Sequence, residues 1–360
     1  MHKLIFTILF LSAFIGRACS QVKVSGVIQD AASKQILPFV NIGIRHKNFG
    51  TASRNDGSFY LVIPPEYERD TLTFSMVGYD ELEISVRESA QKGLFLLNAK
   101  VTTLTEVQVQ SQKLTERKIG IKTRYPAIHF TDGSQNPDDI FEIAQVLKLD
   151  TTLSKITSVN LFVYESKDDS ATFRINFYAF DGDRPAERII EKSIVQTKQI
   201  KTGWLHMDIA PYNVFLKGRV VVAIEFLPAK KSNNNMILYE IKLGGSSRSF
   251  VRKNSLGEWS VPPHHYLLYV TALESRINRD ADDEDEDEKE SAPAARLFSS
   301  FVRDSFSVFI RLPKDYSRHA DQKYPVVYLL DANVYFDIIS NSLAKREEGP
   351  SLPEPILVGI

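Results

Sequence analysis

From residue 22 to residue 275 the chain is written in short runs that alternate apolar and polar residues, each closed by a turn signal. This period of two constrains the fold more than any other feature. VKVSGVI at 22–28, PFVNIGI at 38–44 and SFYLVI at 58–63 send successive side chains to opposite faces of a strand. Arg54-Asn-Asp-Gly57, between GTAS at 50–53 and SFYLVI, is a turn signal, and Asp56 reads as a turn residue rather than a calcium ligand. Pro64-Pro65 closes that strand, DTLTFS at 70–75 opens the next, and TEVQVQ at 105–110 gives a last strand or linker. Strands at this spacing leave no room for crossover helices, so 21–110 is expected to be a small β-sandwich.

The same pattern returns in 119–275. SVNLFVY at 158–164, ATFRINFYA at 171–179, VVVAIEF at 220–226, ILYEI at 237–241 and YLLYVT at 266–271 are strands, and DGD at 181–183 and SNNN at 232–235 are turns. Only 138–147 invites a helical reading. A second, jelly-roll-like sandwich is expected here.

Residues 296–360 differ. SFSVFIRL at 305–312 alternates, and VVYLL at 326–330 is an unbroken apolar run too short for a helix, expected to be a strand buried on both faces. A helix is expected over 333–346, stopped by Glu347, Glu348, Gly349 and Pro350, before another buried strand at ILVGI, 356–360. Strand, strand, helix, strand is the opening of an α/β sheet. The expected fold class is therefore mainly β, two sandwiches followed by an incomplete α/β segment.

Two stretches resemble known families. Gly26-Val-Ile-Gln-Asp30, Leu37-Pro-Phe-Val-Asn-Ile42, Gly50-Thr51, Asp56-Gly57-Ser-Phe59 and Phe74-Ser75 with Gly78-Tyr79 are similar to the carboxypeptidase D regulatory-like domain. That resemblance implies a transthyretin-like, non-catalytic sandwich of the sort found at the front of TonB-dependent transporters and other envelope proteins. Arg303, Leu312-Pro-Lys-Asp-Tyr316, Tyr324-Pro-Val-Val-Tyr-Leu-Leu-Asp331, Phe336 and Pro355-Ile-Leu-Val-Gly-Ile360 resemble the start of the putative-esterase (esterase D and enterobactin-esterase-like) branch of the α/β-hydrolases. Where that family has a glycine after the aspartate, Ala332 stands here.

The hydrolase resemblance implies an oxyanion loop with backbone N–H groups at Ala332, Asn333 and Val334. It also implies a nucleophile on a G-x-S-x-G turn, and no such motif occurs in the 360 residues. No catalytic side chain is therefore assigned, and the chain itself is expected to lack ester hydrolase activity.

Other candidates are few. Trp259, among Gly257, Pro262 and Pro263, is the candidate for stacking on a ligand, whereas Trp204 in GWLHMDI (203–209) is expected in the core. His264 and His265 are adjacent on a strand and point to opposite faces, so no metal site is expected, and no cofactor is implied. Cys19 is the single cysteine, which excludes an intrachain disulfide and cysteine-rich metal sites.

The N-terminus reads as a secretory signal over 1–20. Lys3 precedes the apolar stretch 4–15, and Ala18-Cys19-Ser20 fits cleavage before Gln21. Lipidation at Cys19 is disfavoured because Arg17 stands where a lipobox needs a small residue. No other apolar stretch is long enough to span a membrane. Residues 280–290 carry nine acids and one lysine, leaving the remainder near +7 against a whole-chain charge of −1. Residues 276–295 are thus an acidic solvated linker, and the scattered positive excess excludes nucleic acid as a partner.

Two functions from different classes follow. One is the front portion of an exported serine esterase acting on an ester substrate, with β accessory domains. The other is a non-enzymatic envelope protein that binds a surface glycan or a protein partner through its sandwiches.

Overall fold

The computed structural model describes residues 21–100, 114–124, 128–134, 136–166, 170–228, 237–243, 247–275, 291–313, 316, 323–344 and 354–360. The expected signal at 1–20, the strand at 105–110 and residues 276–290 of the linker expected at 276–295 lie outside the described residues. The chain divides into two compact units, and the first gathers Ser134–Ile140 and Lys253–Glu258 to the N-terminal region.

The first unit contains β1 (Val22–Asp30), β2 (Asn41–Ile44), β3 (Phe49–Ala52), β4 (Ser58–Ile63), β5 (Thr71–Ser75), β6 (Leu82–Ser85), the single-turn helix α1 (Val86–Ser89) and β7 (Leu94–Leu97). Among the described residues these strands form two sheets, β4-β1-β7 and β3-β2-β5-β6, with β1 and β7 parallel and the other pairs antiparallel. The alternation places Val24, Ile28, Ile42, Phe59, Leu61 and Phe74 in one buried core. Phe74 stacks on Phe95 at 4.6 Å between centroids, and Phe59 meets both rings edge-on. Each such pair adds ~0.5–1.5 kcal/mol beyond the area it buries.

The Asn55-Asp56-Gly57 signal produces the expected turn. Gly57 takes φ +71°, and the Asp56 carboxylate accepts from the Ser58 N–H at 3.0 Å and hydroxyl at 2.6 Å. Ser85 caps α1 by accepting from the Glu88 N–H at 3.2 Å.

Strand β3 is an edge, and the later segments of this unit cover it. The Asp138 carbonyl accepts from the Ala52 N–H at 3.0 Å and the Thr51 hydroxyl at 2.9 Å. Gly43 and Gly50 are opposed across β2 and β3, and an added Cβ at Gly43 would lie 2.7 Å from the Ser255 carbonyl oxygen. Glycine at both positions admits backbone where a side chain would stand.

The second unit contains β8 (Leu114–Gly120), β9 (His129–Asp132), β10 (Phe141–Lys148), β11 (Ser154–Ser166), β12 (Ser170–Phe180), β13 (Pro185–Arg188), β14 (Ile194–Gln199), β15 (Gly203–Asp208), β16 (Val214–Leu216), β17 (Arg219–Leu227), β18 (Ile237–Lys242), β19 (Ser249–Arg252), β20 (His265–Tyr266) and β21 (Leu268–Ser275). Among the described residues one sheet runs β13-β12-β17-β10-β19 with β14 beside β12. The other runs β20-β18-β11-β21-β8 with β15 and β16 on β11 and β9 on β18. Phe141, Ile143, Val159, Leu161, Phe173, Ile175, Phe177, Val222, Ile224, Leu268 and Val270 share one buried core, so the two sheets form a sandwich.

The helical reading of 138–147 is overturned, because Phe141–Lys148 is a central strand bonded to β17 and β19. FEIAQVLK sends Phe141, Ile143 and Leu147 to one core, and Ala144 packs with Tyr178, Ala223 and Phe250 in another cluster. That division between two faces is period two, and it outweighs the helix propensity of Glu, Ala, Gln and Leu.

The same unit holds β22 (Ala295–Ser299), β23 (Asp304–Arg311), β24 (Val326–Leu329), helix α2 (Ala332–Ala344) and β25 (Ile356–Gly359). The sheet order is β22-β23-β25-β24, with β24 and β25 parallel and joined through α2. Phe336, Ile339 and Leu343 of α2 pack with Phe309, Leu329 and Leu357. The expectation that 326–330 is buried on both faces fails: Val326, Val327, Tyr328 and Leu330 are 45%, 42%, 71% and 75% exposed. Strand β24 is an edge, and α2 packs on one face of the sheet. The residues that share the opposite face by register include Leu297, Phe306, Ile310 and Tyr328, all exposed.

Candidate functional site

Two places carry the candidate residues. The first is the turn from β24 into α2. Its left-handed residue is Asp331, at φ +53°, and Asp tolerates that region better than most residues. Ala332 begins the helix instead, so the turn forms without the family's glycine. The Ala332 N–H donates to the Ile360 carbonyl at 3.0 Å and is therefore committed within the sheet. Asn333 and Val334 follow in the first helical turn, whose amides have no partner within the helix. Gly359 lets the turn sit on β25, since a Cβ there would lie 2.4 Å from that of Ala332.

The second place is the face of the β13-β12-β17-β10-β19 sheet turned away from the main core. Alternate positions of three adjacent strands put Glu142 opposite Glu225, and Glu225 opposite Arg174. Both carboxylates are fully buried. Two like charges side by side in a dry environment are tolerated only with donors between and around them. Asn176 supplies the bridge, its Nδ2 donating to Glu142 Oε1 at 2.8 Å and to Glu225 Oε2 at 2.9 Å. Arg174 donates to Glu225 at 3.1 Å, and Arg252 pairs with Glu142.

Tyr178 completes the cluster, its hydroxyl donating to Glu142 Oε1 at 2.9 Å. Burial, reinforced by the Glu142 charge, pushes its phenol up to about 12. Burial is the largest single influence on Arg252 and acts to lower its pKa, but Glu142, Tyr178 and Glu225 together outweigh it and hold the guanidinium above its ordinary value. The Arg252 guanidinium lies 4.6 Å from the Trp259 ring centre, and Trp259 meets Tyr178 edge-on at 5.7 Å.

Trp259, the candidate stacking residue, is thus half-buried at the margin of a charged cluster that the sequence reading did not anticipate. A signal was present: FEIAQ, TFRINFY and VAIEF each carry a charge at an interior position of an apolar strand. Trp204 is also half-buried, packed against Ile121, Phe162 and Leu267.

His264 and His265 have separate partners. His264 Nε2 stands 3.9 Å from Asp132, and His265 Nδ1 lies 3.1 Å from the Ser249 hydroxyl. Among the described residues no three His, Cys, Asp or Glu side chains are grouped to hold a metal ion. Among them, too, no helix is long and apolar enough to cross a membrane.

The chain is thus a mainly β protein of sandwich-type sheets. Residues 24–109 match the family model described as "CarboxypepD_reg-like domain", and this part of the chain is a domain of that kind. No curated protein matches the chain. Among solved structures it is similar to the cysteine protease and lectin-like domains of Cwp84, a surface layer associated protein of Clostridium difficile, at 10% identity and TM-score 0.33 over 71% of this chain and 59% of that one. A second structure of the clostridial cysteine protease Cwp84, after propeptide cleavage, gives 10% identity and TM-score 0.34 over 71% of this chain and 66% of that one. Infectious bursal disease virus, Gt strain, gives 9% identity and TM-score 0.26 over 72% and 60% of the two chains. The chain spans less than two thirds of the length of each of these.

Proposed function

We propose that this chain is the front portion of an exported hydrolase of esterase type. A regulatory-like sandwich and a second sandwich precede the opening strands of its α/β catalytic domain. The observation that carries the reading is the β24–α2–β25 crossover. Parallel strands joined through a helix belong to sheets covered by helices on both faces. Here α2 packs on one face while apolar side chains stand exposed on the other, as in a sheet awaiting its second layer.

In such hydrolases the loop from the third strand into the first helix supplies an oxyanion N–H. In chain order β24 is the third strand of this sheet, and in this reading the 330–334 turn is that loop. In this reading the segment contributes backbone donors, while the serine and its acid and histidine partners come from sequence outside these 360 residues. Export rests on the signal read at 1–20.

The coding DNA beyond codon 360 tests the reading. A G-x-S-x-G on a strand-to-helix turn, followed in order by an acid and a histidine, is expected about a hundred residues on. An open frame of domain length with no serine elbow would overturn it.

A further inference from the structure

The outward face of the β13-β12-β17-β10-β19 sheet holds three guanidinium groups, Arg174, Arg188 and Arg252, against two carboxylates, Glu142 and Glu225. Glu225 takes Arg174 and Glu142 takes Arg252. Arg188, opposite Tyr178 across β12 and β13, stacks 5.5 Å over that ring and reaches its hydroxyl at 3.5 Å. No carboxylate of the described residues lies within ion-pair distance of Arg188. The Nε groups of Arg188 and Arg252 and the Oδ1 of Asn176 are buried without a hydrogen-bond partner. Three guanidinium groups against two carboxylates leave one positive charge in excess, and the planar fork of the partly buried Arg188 matches carboxylate and sulfate oxygens.

We propose that this face binds an acidic sugar polymer. Arg188 takes the anionic group, a uronate carboxylate or a sulfate ester, and Trp259, half-buried beside Arg252 and Tyr178, takes the apolar face of the ring. An anion and a flat ring side by side fit a charged pyranose, whereas a nucleic acid would need the basic stripe that the sequence lacks. The proposal uses only residues of the second sandwich and stands or falls separately from the hydrolase reading.

Affinity electrophoresis of the full chain through gels containing polygalacturonate, dextran sulfate or neutral dextran tests it. Retardation by at least one acidic polymer and not by dextran is expected, weakening as salt is raised. The acidic polymer that retards the chain identifies the anion as carboxylate or sulfate. Arg188→Gln and Trp259→Ala leave both buried ion pairs in place and should each weaken binding about tenfold, equivalent to ~1.4 kcal/mol, with Arg188→Lys retaining part of it. Circular dichroism should show both variants folded, with a lower melting point for Trp259→Ala, which loses its packing on Tyr178 and Arg252. Failure of both acidic polymers to retard the chain would overturn the proposal. So would equal retardation by dextran, or undiminished retardation of folded Arg188→Gln and Trp259→Ala.

Discussion

The carboxylate of Asp139 accepts from the Ser255 N–H at 3.0 and 3.1 Å and from the Ser255 hydroxyl at 2.6 Å, across 116 positions of sequence. The Ile140 N–H adds a further donor at 2.8 Å. This contact ties together the two later segments of the first unit, of which 136–138 bond to Gly50, Thr51 and Ala52. The first unit is therefore assembled from three stretches of chain.

A pH dependence follows from Asp139. Burial raises its carboxyl to about 7 from an ordinary 3.8, against the pull of the Ser255, Ile140 and Asn254 donors. The folded state then binds this proton more tightly than the unfolded one. Its contribution is full below the unfolded pKa and is lost as pH rises through the folded value. Three pH units correspond to ~4 kcal/mol as an upper limit. Melting curves between pH 4 and 8 should show stability falling with pH and a flatter profile for Asp139→Asn. An unchanged slope in the variant would refute the assignment.

Glycine substitutions should separate crowded from open positions. Gly43→Ala places a Cβ 2.7 Å from the Ser255 carbonyl oxygen and 3.0 Å from that of Phe49, both backbone atoms. A loss of ~1–3 kcal/mol is expected. Gly93→Ala meets nothing within 4 Å and should be neutral or slightly stabilising. Urea unfolding of the two variants compares them, and equal midpoints would contradict the packing described.

The buried charges give a third expectation. Glu142→Ala leaves Arg252, Tyr178 and Asn176 without their common acceptor and should cost ~3–5 kcal/mol. Tyr178→Phe removes a hydroxyl that donates to Glu142 and accepts from Arg188 and Arg252, and should cost ~1–3 kcal/mol. Denaturant midpoints read both, and a Glu142→Ala loss smaller than that of Tyr178→Phe would contradict the network.

A fourth concerns the C-terminal sheet. Phe298, Val302 and Tyr328 are 69%, 63% and 71% exposed, and apolar surface of this kind binds hydrophobic dyes or associates. The full chain should bind anilinonaphthalene sulfonate, and Tyr328→Lys with Ile310→Lys should reduce the signal. Residues 22–275 should fold without this segment, while 296–360 alone should not, having too little core to offset roughly 1–2 kcal/mol of backbone entropy per residue. A cooperatively unfolding, dye-silent 296–360 fragment would contradict this.

Much of the fold was legible because alternation is a local signal. VKVSGVI, SFYLVI and VVVAIEF announced β1, β4 and β17, and YPVVYLLD with its following helix announced β24 and α2. Short strands such as β13 (PAER) and β19 (SFVR) were not legible, since four residues carry too little pattern and owe their extension to neighbouring strands. Membership of 253–258 in the first unit was invisible because it depends on contacts more than a hundred positions apart. Of the candidate sites, Trp259 was identified by residue type and setting. Glu142, Glu225 and Arg188 meet only through strand register, which single-strand periodicity does not supply.

Labelling by a serine-directed fluorophosphonate tests the proposal that 296–360 opens a serine hydrolase domain. Applied to the native gene product and, in parallel, to the 360-residue chain, the probe should modify a serine of the native protein beyond residue 360 and leave the 360-residue chain unlabelled. A folded native protein that takes up no probe, or labelling of the 360-residue chain itself, would contradict the account.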